Sequence, residues 1–171
     1  SMGMMVMAES FDMWLYPKCK NGYAMHFRDW AERDMTNLIL CHRNHPSIVM
    51  WSIGNEIPEQ WSVQGRQLSR WLQNICHRLD PTRPVTQGMD KAEASLQSGF
   101  AQVMDVAGFN YRVHKFDQSI SQLPQGVLLG SESASTVSSR GVYDISCSSP
   151  REAKAVTSGG FPLEGQCSSY D

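Results

Sequence analysis

Short strand-like runs alternate with amphipathic helical patterns along the first 132 residues, and this alternation limits the fold more than any other feature. The runs, typical of buried strands, lie at residues 3–8, 48–53, 84–87, 106–110 and 127–131. Between them, residues 23–41, 68–79 and 91–100 repeat apolar side chains at helical spacing. Strands separated by helices predict a parallel α/β sheet, either open and doubly wound or closed into a barrel.

Composition and charge exclude several classes of protein. The chain has 171 residues, of which 41% are hydrophobic and 19% are charged, and these values are typical of one globular domain. Lys and Arg are scattered and the formal net charge is -2, so neither nucleic acid nor a membrane surface is expected as a partner. The cysteines form no CxxC pair and no glycine-rich phosphate motif follows the first strand. We therefore expect no metal and no cofactor.

The character of the sequence changes after residue 132. Residues 133–171 are rich in Ser and Gly and lack sustained periodicity, which predicts a long loop region. Residues 1–132 carry all of the strand and helix patterns. We therefore expect the packed domain to lie within residues 1–132.

Three of the five predicted strands end at or next to a glutamate, namely Glu9, Glu56 and Glu132. The carboxyl ends of parallel strands meet at one edge of the sheet, where active sites of α/β proteins lie. Two carboxylates held close together can cleave a glycosidic bond, one as acid and the other as nucleophile or base. The alternative is that Glu56 and Glu132 are solvated residues that cap the following helices.

A longer motif adds a family resemblance. Residues 43–56, RNHPSIVMWSIGNE, resemble the acid/base strand of glycoside hydrolase family 2, which includes β-galactosidases, β-glucuronidases and β-mannosidases. GMMVMAES is similar to the third barrel strand of that family, DPTRPVTQG to the fifth, GFNY to the sixth and LLGSES to the seventh. The resemblance implies an incomplete (β/α)8 TIM barrel with about strands 3–7 present.

The resemblance also implies roles for four residues. Glu56 matches the general acid/base, and Glu132 matches the nucleophile of a retaining, double-displacement mechanism. Asn55 matches the residue that binds the 2-hydroxyl of the sugar. Tyr111 matches the tyrosine that donates a hydrogen bond to the nucleophile.

Other candidates for the sugar pocket follow from position. Glu9 ends the first strand, where it is expected either to support the pocket or to contact substrate. Trp14 and Trp61 lie in loops after strand ends and are candidates to line a sugar subsite. Trp30 and Trp71 fall on apolar helix faces and are expected in the core.

Two functional hypotheses remain open. The first is a retaining β-glycosidase, with a β-galactosidase favoured because GSESAS and SSRGVY resemble that branch, and a β-glucuronidase or β-mannosidase relative as the alternative. The second is a catalytically silent fragment that binds complementary barrel segments or associates with itself. A full barrel has about 250 residues, so we expect the isolated chain to be inactive. We expect a soluble protein and leave open the bacterial cytoplasm or periplasm.

Overall fold

The computed structural model describes residues 2–133. The Ser- and Gly-rich region predicted from residue 133 onward lies outside the described residues, apart from Ser133 itself, so its character as a loop stays a prediction. Within the described part of the chain, no helix is both long enough and apolar enough to cross a membrane.

One five-stranded parallel sheet forms the centre of the described chain. Its strands are β1 (Val6–Glu9), β2 (Ile48–Asn55), β3 (Val85–Met89), β4 (Ala107–Asn110) and β5 (Leu128–Glu132). They lie side by side in chain order, and every neighbouring pair is parallel. A doubly wound sheet reverses its strand order at a switch point, whereas a barrel adds each new strand on the same side. The order therefore favours the barrel, with five consecutive strands present.

Helices connect successive strands, as the periodicity predicts. They are α1 (Phe27–His42), α2 (Val63–Leu79), α3 (Ala92–Gln97) and α4 (Phe116–Ile120). Short 3-10 helices add Tyr23–Met25, Pro58–Trp61, Ala101–Val103 and Val113–Lys115. The buried residues of α1 recur every fourth position, at Phe27, Ala31, Met35 and Ile39. This spacing gives a single apolar stripe, which packs into the core formed with the sheet.

Two predictions of burial are wrong. The first strand, expected to be buried, begins with exposed side chains, and Met5 is 78% exposed. Within the described residues β1 is an edge strand that pairs with β2 alone, so no second strand covers it. Trp30, expected in the core, is 44% exposed and lies 4.4 Å from the Arg33 guanidinium. Trp71 packs against the core as predicted.

A buried acid joins the starts of β2 and β3. Asp80 is 4% exposed and accepts hydrogen bonds from the Trp51 indole at 3.0 Å, the Thr82 hydroxyl at 2.5 Å and the Arg83 guanidinium at 2.6 Å. Arg83 also donates to the carbonyl oxygen of Ile48 at 2.7 Å. Burial alone would raise the pKa of Asp80, but the three donors outweigh it and lower that pKa to about 2. The DPTRP motif therefore stabilises the end of the sheet opposite the glutamates.

Candidate active site

The sheet brings five predicted site residues to its carboxyl edge. Glu9 ends β1, Asn55 ends β2 with Glu56 directly after it, Tyr111 follows β4, and Glu132 ends β5. In a parallel barrel this edge carries the active site.

Tyr111 holds Glu132 by two hydrogen bonds. The Tyr111 hydroxyl donates to Oε2 of Glu132 at 2.6 Å, and its backbone N–H donates to the Glu132 carbonyl oxygen at 2.5 Å. Tyr111 has a φ of 60°, in the left-handed region that residues other than glycine seldom occupy. Strained backbone of this kind is concentrated at functional sites. The turn after β4 thus places the ring beside the carboxylate that ends β5.

Asn110, which the sequence analysis did not single out, contacts the other glutamate. Its Nδ2 donates to Oε1 of Glu56 at 3.0 Å and to Oδ1 of Asn55 at 2.9 Å. Its Oδ1 accepts from the Ser131 hydroxyl at 2.7 Å. Asn110 is 1% exposed, so these contacts replace hydrogen bonds to water. Two adjacent residues at the end of β4 therefore hold the two glutamates. Asn110 donates a hydrogen bond to Glu56, and Tyr111 donates one to Glu132.

Gly88 provides the space in which Asn55 and Asn110 meet. These two residues end β2 and β4, and β3 lies between them. A Cβ atom at Gly88 would lie 2.8 Å from Oδ1 of Asn110 and 2.9 Å from Oδ1 of Asn55, which is closer than real Cβ atoms approach. The absence of a side chain at this position is therefore a condition for the contact.

Glu9 lies close enough to Glu132 for the negative charge of Glu132 to raise its pKa. Its Oε2 accepts a hydrogen bond from the Ser52 hydroxyl at 2.7 Å. Burial raises the pKa of Glu9, the Ser52 hydrogen bond opposes this, and the negative charges of Glu132 and Asp12 raise it further. Of the two roles considered for Glu9, support of the pocket and contact with substrate, the hydrogen bond to Ser52 favours support of the pocket.

The loop after β1 is fixed to the end of β2 through a second group that the sequence analysis missed. Lys18 Nζ donates to Oδ1 of Asp12 at 3.0 Å and to the Asn55 carbonyl oxygen at 2.8 Å. Nδ2 of Asn55 donates to the same Asp12 oxygen at 3.2 Å. No periodic signal marks Asp12 or Lys18, because their contact with Asn55 spans about 40 residues of chain.

The segment Pro58–Trp61 braces the loops on either side of β2. Buried Glu59 accepts hydrogen bonds through Oε1 from the backbone N–H groups of residues 15 and 16, at 2.7 and 2.9 Å. Gln60 donates through Nε2 to Oδ1 of Asp90, after β3, at 2.6 Å. These contacts hold the rim around Glu56 in one arrangement.

The two candidate tryptophans have different environments. Trp14 is fully buried, its ring packs near Phe27 and Phe100, and its Nε1 donates to the Ile53 carbonyl oxygen at 3.0 Å. The prediction that Trp14 lines a sugar subsite is therefore wrong, because both its apolar surface and its N–H are used inside the core. Trp61 is 67% exposed at the end of its 3-10 helix, and its part in a subsite stays a prediction.

Among residues 2–133, no group of three or more His, Cys, Asp or Glu side chains is arranged to hold a metal ion. At the carboxyl edge, each of three carboxylates instead accepts a hydrogen bond from a different kind of donor: an amide for Glu56, a hydroxyl for Glu132 and an ammonium group for Asp12. Such a set can bind a polyhydroxylated ligand and can transfer protons.

Comparison with known proteins gives one consistent relationship. Residues 3–125 match the family model of glycosyl hydrolases family 2, TIM barrel domain. The β-galactosidase BoGH2A of Bacteroides ovatus is 35% identical over 173 residues, which cover 83% of this chain and 20% of the relative. A β-glucuronidase of Paenibacillus borealis is 40% identical over 52 residues, or 30% of this chain and 9% of the relative.

A solved structure agrees with the sequence comparison. The crystal structure of a glycosyl hydrolase family 2 member from Bacteroides cellulosilyticus has a TM-score of 0.73 and 35% identity to this chain, covering 78% of it. The chain spans 17% of that protein, and 20% of the Bacteroides ovatus relative. The predicted fold, a TIM barrel present in part, is confirmed. The chain belongs to glycosyl hydrolase family 2, and its five-stranded sheet is part of the TIM barrel domain of that family.

Proposed function

We propose that this chain supplies both catalytic carboxylates of a retaining β-glycosidase that acts on terminal β-galactosides. Glu132 is the nucleophile and Glu56 is the general acid/base. The observation that supports this most directly is the pair of contacts at the end of β4, where Asn110 bonds Glu56 and Tyr111 bonds Glu132. Each glutamate thus has its own partner, as expected for two carboxylates with different tasks.

In the proposed mechanism, Glu132 attacks the anomeric carbon while Glu56 gives a proton to the departing glycosidic oxygen. The resulting glycosyl ester is then hydrolysed by a water molecule that gives its proton to Glu56. Retention requires carboxyl oxygens separated by about 5 to 5.5 Å, and we expect this spacing between Glu56 and Glu132 in the complete barrel. Asn55 binds the sugar 2-hydroxyl, and Glu9 and Trp61 complete the pocket.

Substrate preference is the second part of the proposal. The Bacteroides ovatus β-galactosidase aligns over 83% of this chain at 35% identity, whereas a putative β-glucuronidase of Formosa agariphila aligns over 63% at 33% identity. The motif GSESAS, which resembles the β-galactosidase branch, supports the same choice. A β-glucuronidase is the second candidate, and nitrophenyl β-galactoside, β-glucuronide and β-mannoside assayed side by side distinguish them.

The test uses a chimera in which this chain replaces the aligned stretch of the Bacteroides ovatus relative. Glu132→Gln is expected to abolish turnover. Glu56→Gln is expected to retain the first step with a dinitrophenyl leaving group, and added azide restores its turnover by attacking the glycosyl ester, which gives the β-galactosyl azide. Glu93→Gln is the control, since Glu93 lies on α3 and pairs with Lys115 at 2.6 Å. Formation of the β-galactosyl azide by Glu132→Gln instead would exchange the two roles.

The competing hypothesis, a catalytically silent fragment, predicts a different result. We expect the isolated chain to be inactive, because the five strands of the described residues form only part of the barrel wall that would hold a substrate in place. Its exposed β1 edge favours association with complementary barrel segments or with itself. Turnover of a β-galactoside by the isolated chain at about 1 per second would contradict this expectation. A chimera inactive on all three sugars would support the silent fragment.

A further inference from the structure

The hydrogen bonds of Asn110 have only one consistent direction. Its amide has two N–H donors and one acceptor oxygen, and the two neighbours on its Nδ2 side are acceptors, Oδ1 of Asn55 and Oε1 of Glu56. Turning the amide over would place its oxygen against both acceptor oxygens. Ser131 donates to Oδ1 on the opposite side and holds this orientation.

This direction makes the two oxygens of Glu56 inequivalent. Oε1 accepts an N–H from Asn110 at 3.0 Å, whereas Oε2 accepts no hydrogen bond from any of residues 2–133. A carboxylate has about four lone-pair sites on its two oxygens, and the Asn110 N–H occupies one of those on Oε1. Oε2 is therefore the oxygen with both of its sites open to a ligand.

The same direction restricts Asn55. Its Oδ1 accepts from Asn110, and one of its N–H groups donates to Asp12. The remaining N–H is the group that Asn55 offers to a ligand, so the sugar atom facing it must accept a hydrogen bond.

We propose that Asn110, oriented by Ser131, is a positioning residue that fixes Oε2 of Glu56 as the proton-transferring oxygen and Asn55 as a donor to the substrate. This inference rests on the proposed function in its catalytic part. Asn110 itself is 1% exposed, so it acts through its neighbours. Its effect passes through Glu56 and Asn55, which lie on the far side of β3 from it.

The contact itself is tested on the 171-residue chain without any turnover. In ¹⁵N-labelled protein, the Asn110 side-chain amide signals are expected to move in Glu56→Gln, because the carboxylate that accepts from Asn110 becomes a neutral amide. The same signals should move much less in Glu132→Gln. Unchanged Asn110 amide signals in Glu56→Gln would overturn the contact, whatever the chimera does.

The catalytic part is tested in the active chimera by leaving-group dependence. Asn110→Ala is expected to lower kcat/KM for lactose, whose leaving group needs a proton, on the order of 10²-fold. For a dinitrophenyl β-galactoside, whose first step needs no proton, the loss should stay below roughly tenfold. Equal losses on both substrates would show a structural role and overturn the proposal.

Two further variants keep this test decisive if Asn110→Ala folds poorly. Ser131→Ala leaves the Asn110 amide in place without its orienting donor. We expect kcat/KM for lactose to fall more than kcat/KM for the dinitrophenyl β-galactoside, but by less than in Asn110→Ala. Asn110→Asp replaces the donor with an acceptor of equal size, and its loss should exceed that of Ser131→Ala. Full activity of both variants on lactose would also overturn the proposal. An inactive parent chimera counts against the proposed function, and the amide measurement still decides the contact.

Discussion

Replacing Asp80 by Asn is expected to destabilise the native state by about 3 kcal/mol, the lower end of the cost of breaking a buried ion pair. Asp80 is 4% exposed, and its carboxylate bonds the guanidinium of Arg83 and the indole of Trp51. These hydrogen bonds outweigh burial and lower the pKa of Asp80 to about 2 from the ordinary 3.8, which favours the ionised form by about 2 kcal/mol. Asn retains one acceptor oxygen, so the larger losses within the range are not expected.

Alkylation of the Cys76 thiol measures this loss even if the chain associates. Cys76 lies on α2 with no exposed surface, and burial raises its pKa to about 12, so it reacts only when the structure opens. Peptide mapping separates it from the other thiols, and each variant in denaturant supplies the reference rate. A loss of 3 kcal/mol corresponds to alkylation about a hundredfold faster.

A matched control makes the same chemical change in an exposed ion pair. Glu32 bonds Arg78 at 3.0 Å, with side chains 53% and 62% exposed, so Glu32→Gln should cost less than about 1 kcal/mol. If Asp80→Asn accelerates Cys76 alkylation by no more than about fivefold over Glu32→Gln, the importance given to the buried carboxylate is refuted.

Three other results are expected. Because the folded pKa of Asp80 lies below its unfolded value, the stability that Asp80 contributes is present above about pH 4 and is lost towards pH 2. In acid unfolding followed by tryptophan fluorescence, Asp80→Asn should therefore lack the loss of stability between about pH 4 and pH 2. Gly88→Ala forces Asn55 and Asn110 apart, so the chimera should lose on the order of 10² in kcat/KM while staying folded, and full activity would contradict the crowding. Trp61→Ala should raise KM with little change in stability, whereas Trp14→Ala should cost about 3 to 5 kcal/mol in urea unfolding; equal destabilisation by both would contradict their different burial.

The sequence permits the sheet to be predicted because each strand and helix produces a local pattern. Residues 48–53 and 68–79, for example, lie within β2 and α2. The contact between Tyr111 and Glu132 follows the expectation from the family resemblance, while the catalytic roles of both residues stay a proposal.

The remaining features depend on contacts between distant parts of the chain, which periodicity does not report. Asn110 meets Glu56 across β3 only because position 88 has no side chain, and nothing in the GFNY motif alone indicates this contact. Trp14 and Trp61 both follow strand ends, yet one is core and the other is exposed. An aromatic residue next to a strand end therefore does not reveal which side of the loop it packs on.

The agreement between strand order and chain order has a consequence for synthesis on the ribosome. Each strand from β2 onward emerges when the strand it pairs with has already been made, so the sheet can extend in the direction of translation. Among the five described strands, the longest interval between the synthesis of a strand and that of its partner is the one between β1 and β2, which are separated by roughly 40 residues. At 5 to 20 residues per second this interval lasts roughly 2 to 8 seconds. During that time the side of β1 that pairs with β2 is still unpaired, so a chaperone that binds unpaired strands would act on β1 in this interval.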